Sequence, residues 1–201
     1  MARSGARRPA LATGNAGKVR ELRELLAGSG WEAVTAGELG IPAPTVIECG
    51  RSYLENAVAK GVAYARATGL AALADDSGLE VDALHGAPGV LSARFGGAAL
   101  DDAGRCDHLL ATLAGVPPAR RGARFRCAVA LALPGNAAVV REGVLDGRIA
   151  PAPRGASGFG YDPVFELADG RTVAQLGAEK QQISHRALAV RALAEALRRL
   201  R

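Results

Sequence analysis

Leu70-Ala71-Ala72-Leu73-Ala74-Asp75-Asp76-Ser77-Gly78-Leu79 is the stretch on which the fold turns. Residues 70–74 are uninterruptedly apolar, as in a strand buried on both faces, and the run ends on two adjacent carboxylates followed by Ser77-Gly78. Residues 79–84 then read as a second strand returning from that turn. Ahead of the run, residues 52–67 read as a helix. Ser52-Tyr53-Leu54-Glu55 has the form of a capping box, and Leu54, Ala57, Val58, Gly61, Val62 and Ala65 supply an apolar stripe. A helix feeding a buried strand points to an α/β arrangement.

Working outward, residues 8–13 read as a first strand ending in Thr13-Gly14-Asn15. Residues 19–26 form a helix with Val19, Leu22, Leu25 and Leu26 on one face, stopped by Gly28-Ser29-Gly30. Residues 31–35 are a second strand, and residues 37–50 are irregular and rich in Gly and Pro. Downstream, residues 101–114 are helical. Residues 124–133 alternate, with Phe125, Cys127, Val129, Leu131 and Leu133 on one side. The turn Pro134-Gly135-Asn136 leads into residues 138–145, so the pair reads as a long hairpin. Residues 155–163 are a glycine-rich loop, and residues 184–200 an amphipathic helix carrying Leu188, Leu193 and Leu197. With no repeat, low-complexity linker or composition break, the expectation is one α/β or α+β domain over 1–201.

Composition narrows the function. At 49% hydrophobic residues, the 201-residue chain can bury a sizeable core, and disorder is excluded. Cys49, Cys106 and Cys127 are odd in number and far apart, which argues against a disulfide framework or structural zinc and makes a reducing cytosol the expectation. No apolar run approaches the roughly 20 residues of a membrane span. The apolar stretch behind the basic N-terminus is too short for a signal-peptide core. The formal charge of +5 suits an anionic small substrate or nucleic acid. Some of the excess sits at the two ends, in Arg3, Arg7, Arg8, Arg198, Arg199 and Arg201. Aromatics are only 4% and do not interleave with basic residues, which disfavours a nucleic-acid platform.

Several segments carry chemistry. Thr13-Gly14-Asn15-Ala16-Gly17-Lys18 lies where a strand turns into a helix. Exposed helix N–H groups and the Lys18 charge there suit a phosphate, although the spacing is not that of a Walker A loop. The alternative is an ordinary strand–helix turn. Asp75 and Asp76 point to opposite faces of an extended chain, so one can meet a cleft while the other anchors structure. Together they read either as Mg²⁺ ligands activating a water or as a turn-initiating pair. Glu48 is a possible second metal carboxylate, while Glu55 is explained by the capping box. Asn56 and Lys60, four apart, share a helix face and suit a phosphate, with a solvated lysine as the plainer reading. Phe159-Gly160-Tyr161-Asp162-Pro163 offers aromatics that could stack on a base or pin the loop to the core. Lys180, Ser184, His185 and Arg186 cluster at the start of the last helix, where His185 and Arg186 could cap it or read a base edge.

Taken in order, these blocks resemble the inosine-triphosphatase family of non-canonical purine nucleoside triphosphate pyrophosphatases. The resemblance rests on Thr13-Gly14-Asn15 with Lys18, Ser52-Tyr53-Leu54-Glu55-Asn56-Ala57 with Lys60, and Asp75-Asp76-Ser77-Gly78-Leu79. It continues through Gly86-Ala87-Pro88-Gly89 with Ser92-Ala93-Arg94-Phe95, then Phe159-Gly160-Tyr161-Asp162-Pro163, and Lys180 with Ser184-His185-Arg186. It spans essentially the whole chain.

The resemblance implies an elongated mixed sheet flanked by helices, two lobes with the active site in the cleft between them, a cytoplasmic homodimer, and Mg²⁺ as cofactor. It assigns Thr13, Gly14, Asn15, Ala16, Gly17 and Lys18 to the triphosphate, Asp76 to catalysis and metal, and Ser77 to substrate. Phe159, Gly160, Tyr161 and Asp162 would enclose the base, with Lys180, His185 and Arg186 completing recognition. Where bacterial members carry two successive glutamates before Thr-Gly, this chain has Ile47-Glu48-Cys49-Gly50, which leaves Glu48 as the candidate second ligand. The implied reaction is water attack at the α-phosphorus of dITP, ITP or XTP, releasing monophosphate and pyrophosphate. Neither nucleic acid nor membrane is expected as a partner of such an enzyme. A 6-oxopurine presents O6 and N7 acceptors to Arg, whereas adenine presents an N6 donor. The competing classes are a phosphatase or pyrophosphatase for other nucleotides, and a nucleic-acid-binding module.

Overall fold

The computed structural model describes residues 8–46 and 50–199, with no side chain described at 198 and 199. It is a mixed α/β fold. Its six-stranded sheet has the order β2-β1-β3-β4-β5-β6, built from β1 (Ala10–Leu11), β2 (Val34–Thr35), β3 (Ala72–Val81), β4 (Gly122–Ala132), β5 (Ala138–Ile149) and β6 (Phe165–Glu166). The helices are α1 (Ala16–Leu26), α2 (Tyr53–Thr68), α3 (Asp102–Thr112), α4 (Lys180–Ile183) and α5 (His185–Arg199). The chain divides into two compact units. Unit one holds Met1–Asp76, Ala128–Gly143 and Ala189–Arg201, and unit two holds Ser77–Cys127 and Val144–Leu188.

In unit one, β1 pairs in parallel with both β2 and β3, with Leu11 opposite Thr35 on one side and Leu73 on the other. The connections run through α1 and α2, so the strand order reverses at β1, the doubly wound pattern. Asn15 caps the start of α1 by accepting from Lys18 N–H at 3.0 Å. Ser52 likewise accepts from Glu55 N–H at 3.2 Å at the start of α2. The reciprocal half of the expected capping box is absent, because Glu55 Oε2 accepts from Arg51 N–H, one residue earlier.

The buried face of α2 also differs from the expected stripe. It runs through Tyr53, Asn56, Ala57, Lys60, Gly61, Tyr64 and Ala65, and Leu54 lies 44% exposed. The cause is close packing on small residues. A Cβ added at Gly61 would sit 3.1 Å from the Ala132 Cβ and 3.5 Å from that of Ala74. A helix this near the sheet meets it through Gly61 and Ala65, with Ala65, Ala72, Ala74 and Ala132 in one cluster.

The return strand expected at 79–84 is not separate. Residues 72–81 are one continuous strand, so Asp75 and Asp76 lie inside it rather than at a turn. Their buried carboxylates are compensated, which removes the reason to break the strand there. The hairpin at 133–137 forms as expected, with Leu133 N–H donating to Ala137 C=O at 2.8 Å. Leu133 itself is 47% exposed, and residues 127–132 of β4 are buried on both faces.

Unit two is built around Leu79, Val81, Leu109, Leu113, Phe125, Ile149, Tyr161, Phe165 and Val173. Phe125 stacks on Phe165 with ring centroids 4.2 Å apart.

Candidate functional site

Unit one places a charged cluster at its switch point. In doubly wound sheets, ligands bind beyond the carboxyl ends of the strands where the order reverses. Here that place lies past Leu11 and Leu73, where Ala12 N–H still bonds Leu73 C=O at 2.9 Å. Beyond it come Thr13-Gly14-Asn15 in the turn after β1 and Asp75-Asp76 on β3. Thr13 Oγ1 accepts from Asn15 N–H at 3.1 Å, which shapes the turn, and Gly14 is exposed. A cavity of about 630 Å³ opens beside this turn, lined by Thr13, Gly14, Ala16, Arg20, Thr35 and Tyr64 among others.

Successive strand residues face opposite ways, and each carboxylate meets a different helix. Asp75, fully buried, faces Lys18 of α1, with Nζ 3.1 Å from Oδ2. Asp76 faces α2: Lys60 Nζ donates to Oδ1 at 2.8 Å and Asn56 Nδ2 to Oδ2 at 3.1 Å. Asn56 Oδ1 in turn accepts from Gly50 N–H at 2.9 Å, tying the preceding loop to the same point. Lys60 is therefore a buried partner of a carboxylate, not a solvated lysine. Lys18 is only 15% exposed and is likewise engaged. From the sequence, Asn56 and Lys60 were expected at a phosphate or in solvent, and the structure instead turns both onto Asp76. The available signal was their four-residue spacing within what proves to be the buried face.

Unit two gathers the other predicted residues. The Asp162 carboxylate accepts from Phe159 N–H at 2.9 Å and from Lys180 Nζ at 2.5 Å. Gly158 has a φ of +83°, and a Cβ there would lie 2.0 Å from Asp162 Oδ2, so the loop closes on Asp162 only with glycine at this position. The half-buried Phe159 ring carries two cations, Lys180 Nζ 4.8 Å and Arg186 Cζ 5.6 Å from its centroid. Arg186 is buried, and its Nη2 donates to Ser77 Oγ at 2.9 Å.

Tyr161 and His185 are placed differently. Tyr161 is buried and donates from its hydroxyl to Ser92 C=O at 2.8 Å, and burial holds its pKa well above the usual phenol value. Its ring thus pins the loop to the core. His185 stacks on Phe125 at 4.8 Å. The cap of α5 is supplied by Ser184, whose hydroxyl accepts from Ala187 N–H at 3.2 Å, not by His185 or Arg186.

Glu48 lies outside the described residues, as does Cys49. Among the described residues, no group of three or more His, Cys, Asp or Glu side chains is arranged to hold a metal, and no helix is long and apolar enough to cross a membrane.

The family profile described as Ham1 family matches residues 10–196. A dITP/XTP pyrophosphatase of Symbiobacterium thermophilum is 51% identical over 195 residues, covering 96% of this chain and 95% of its own. That of Geobacillus kaustophilus is 52% identical over 188 residues, covering 92% and 91%. Among solved structures, a HAM1 protein from Coxiella burnetii superposes with a TM-score of 0.85 at 39% identity, covering 96% of this chain and 99% of its own. By sequence and by fold, this chain belongs to the Ham1 family.

Proposed function

We propose that this chain hydrolyses non-canonical purine nucleoside triphosphates, dITP, ITP and XTP, to the monophosphate and pyrophosphate. The observation that carries the reading is the buried Asp75-Asp76 pair, each carboxylate met by a lysine, beside a helix N-terminus at the switch point. It stands in a chain about half identical to relatives named dITP/XTP pyrophosphatase. The whole chain acts as one pyrophosphatase domain, in keeping with a family match over 10–196.

Each Asp76 oxygen accepts one hydrogen bond from the protein, and a carboxylate offers about four lone-pair sites in all. Asp76 therefore keeps acceptor capacity toward a hard cation or a water. Oxygen donors of this kind suit Mg²⁺, which characteristically takes one or two carboxylates plus substrate phosphates. Asp76, with Glu48 as second candidate, would hold it, and when bound it supplies charge neutralisation to the phosphates. Lys60 and Asn56 fix the Asp76 carboxylate so that a water hydrogen-bonded to it is oriented toward the α-phosphorus. Lys18, with the backbone N–H groups from Thr13 through Gly17, binds the triphosphate, which draws the Lys18 ammonium from Asp75. Phe159 stacks on the base. Asp162 holds Lys180 beside that ring, Ser77 holds Arg186, and these cations, together with His185, read the 6-oxo edge. Gly160 and Tyr161 carry the loop. The family resemblance extends the reading to a cytoplasmic homodimer.

A panel of dITP, ITP, XTP, GTP, ATP and pyrimidine triphosphates, scored for pyrophosphate against orthophosphate with Mg²⁺, tests the function. Pyrophosphate from 6-oxopurines is the expected result. Orthophosphate would identify terminal cleavage and overturn it. EDTA should abolish turnover and excess Mg²⁺ restore it, and full turnover in chelator would remove the metal from the reading.

A further inference from the structure

The backbone of Gly160, next to the half-buried Phe159 ring, is gripped by a single helix. Gly160 N–H donates to Asp102 Oδ2 at 2.7 Å, and Cys106 Sγ–H donates to Gly160 C=O at 3.4 Å. Asp102 and Cys106 are four residues apart on α3, so one face of one turn presents both an acceptor and a donor to the same loop residue. The Phe159 N–H is held separately by Asp162. The peptide on each side of Phe159 is therefore fixed by a carboxylate, and the next carbonyl by a thiol.

The gripping residues are themselves anchored. Asp101 caps α3 by accepting from Gly104 N–H at 2.8 Å, and Asp102 follows in the first turn, where a negative charge is favoured by the helix dipole. Arg105 Nη1 lies 3.6 Å from Asp102 Oδ1. Cys106 is 3% exposed within the core of unit two. Burial, then the charges of Asp102, Asp107 and Asp162, push its thiol up to about 12, so it remains a hydrogen-bond donor at neutral pH.

We propose that Asp102 and Cys106 are positioning residues for base recognition, holding the Phe159–Gly160 backbone so that the Phe159 ring is presented ready-ordered to the purine. The inference rests on the reading of Phe159 as the stacking residue. Neither side chain touches substrate. Their contribution is the ordering cost that the loop would otherwise meet on binding.

The test compares Asp102→Ala, Asp102→Asn and Cys106→Ser with wild type. The Asp102 side chain is 57% exposed, so its replacement leaves the core intact. Asp102→Ala is expected to raise KM for dITP about tenfold with kcat within about threefold, the scale of one lost charge-assisted hydrogen bond. Asp102→Asn keeps an acceptor oxygen and Cys106→Ser keeps a donor, so both should recover most of the wild-type KM. Hydrogen exchange of the Gly160 amide should accelerate in Asp102→Ala and not in Asp102→Asn. Unchanged exchange in Asp102→Ala overturns the proposal. So does faster exchange in an active enzyme whose KM is unmoved, or a loss confined to kcat and Tm. Failure of the wild type on every purine triphosphate would instead sink the functional reading. The exchange measurement alone would then decide whether α3 holds the loop.

Discussion

Both functional clusters pair a buried carboxylate with a lysine, yet they are built on different material. In unit one the carboxylates sit inside a continuous strand, and their partners come from two helices. In unit two Asp162 opens a short 3₁₀ turn at the end of a loop, closed by Gly158 and held by Lys180. The difference teaches a division of labour. On the proposed reading, charge that must stay fixed relative to a reacting phosphorus is placed on a strand, whose regular alternation sets which helix each carboxylate meets. A ring that offers any purine a stacking face is carried, on that reading, on a loop whose position individual side chains set.

The sharpest way to break that comparison is within the strand. Asp76→Asn should lower kcat by about 10² or more, the scale of a lost acid–base or water-orienting group. Asp75→Asn should lower kcat far less but cost stability, because it strands the Lys18 ammonium against a neutral partner. Removing one member of a buried pair costs about 3–5 kcal/mol, or roughly 10 °C in Tm for a chain of this size. Steady-state kinetics and thermal melts on both variants decide the matter. The reverse pattern would exchange the roles of the two strand faces.

Lys18→Ala comes next. It should raise KM for the triphosphate about tenfold or more, since Lys18 supplies a charge-assisted contact to phosphate. An unchanged kcat/KM would detach the first turn of α1 from substrate. In unit two, Phe159→Ala should lower kcat/KM for inosine and adenosine triphosphates by a similar factor of about ten, because stacking is indifferent to the base edge. A changed ratio between the two would give the ring a part in discrimination.

The smallest effect concerns an exposed carboxylate outside both clusters. Glu38 accepts from Thr35 N–H at 2.8 Å, from Arg23 and from the Thr35 hydroxyl, which together hold its pKa down to about 2. Its folded value lies below the unfolded one. The stabilisation is therefore fully present above about pH 4.5 and is lost as pH falls toward 2. Glu38→Gln should melt slightly below wild type at pH 7, and the difference should close by pH 2. A difference independent of pH would mean that the contact acts without its charge.

The sequence made the order of elements readable because each has a local signal: Asn15 and Ser52 at helix starts, an apolar run at 70–74, alternation in β4. Two features were not readable. The continuity of β3 through Asp75 and Asp76 depends on lysines supplied by α1 and α2, and a linear reading sees only carboxylates that ought to end a strand. The rotation of α2 depends on how near the sheet lies, which side-chain hydrophobicity does not report. That is why Leu54 was expected inside and Lys60 outside. In unit two the loop aromatics were legible as a pair but not as separate roles. Phe159 and Tyr161 are two apart and look equivalent in sequence, yet Tyr161 reaches Ser92 in the core while Phe159 carries the cations.

Gly61 has a consequence for how such an enzyme can change over time. The methyl that Ala would add lies close enough to the Ala132 Cβ that α2 or β4 would have to give by a few tenths of an ångström. Lys60 is its chain neighbour and Asn56 stands little more than one turn away on the same helix. An alanine at 61 would thus act as a shim, lifting both donors from Asp76 together while leaving every charged residue in place. The alanine-rich interior of unit one works as a spacer of set thickness, and the reach of Lys60 and Asn56 to Asp76 is calibrated by residues that carry no chemistry. Drift at such positions would appear first as altered turnover, in a protein whose recognisable motifs were all intact.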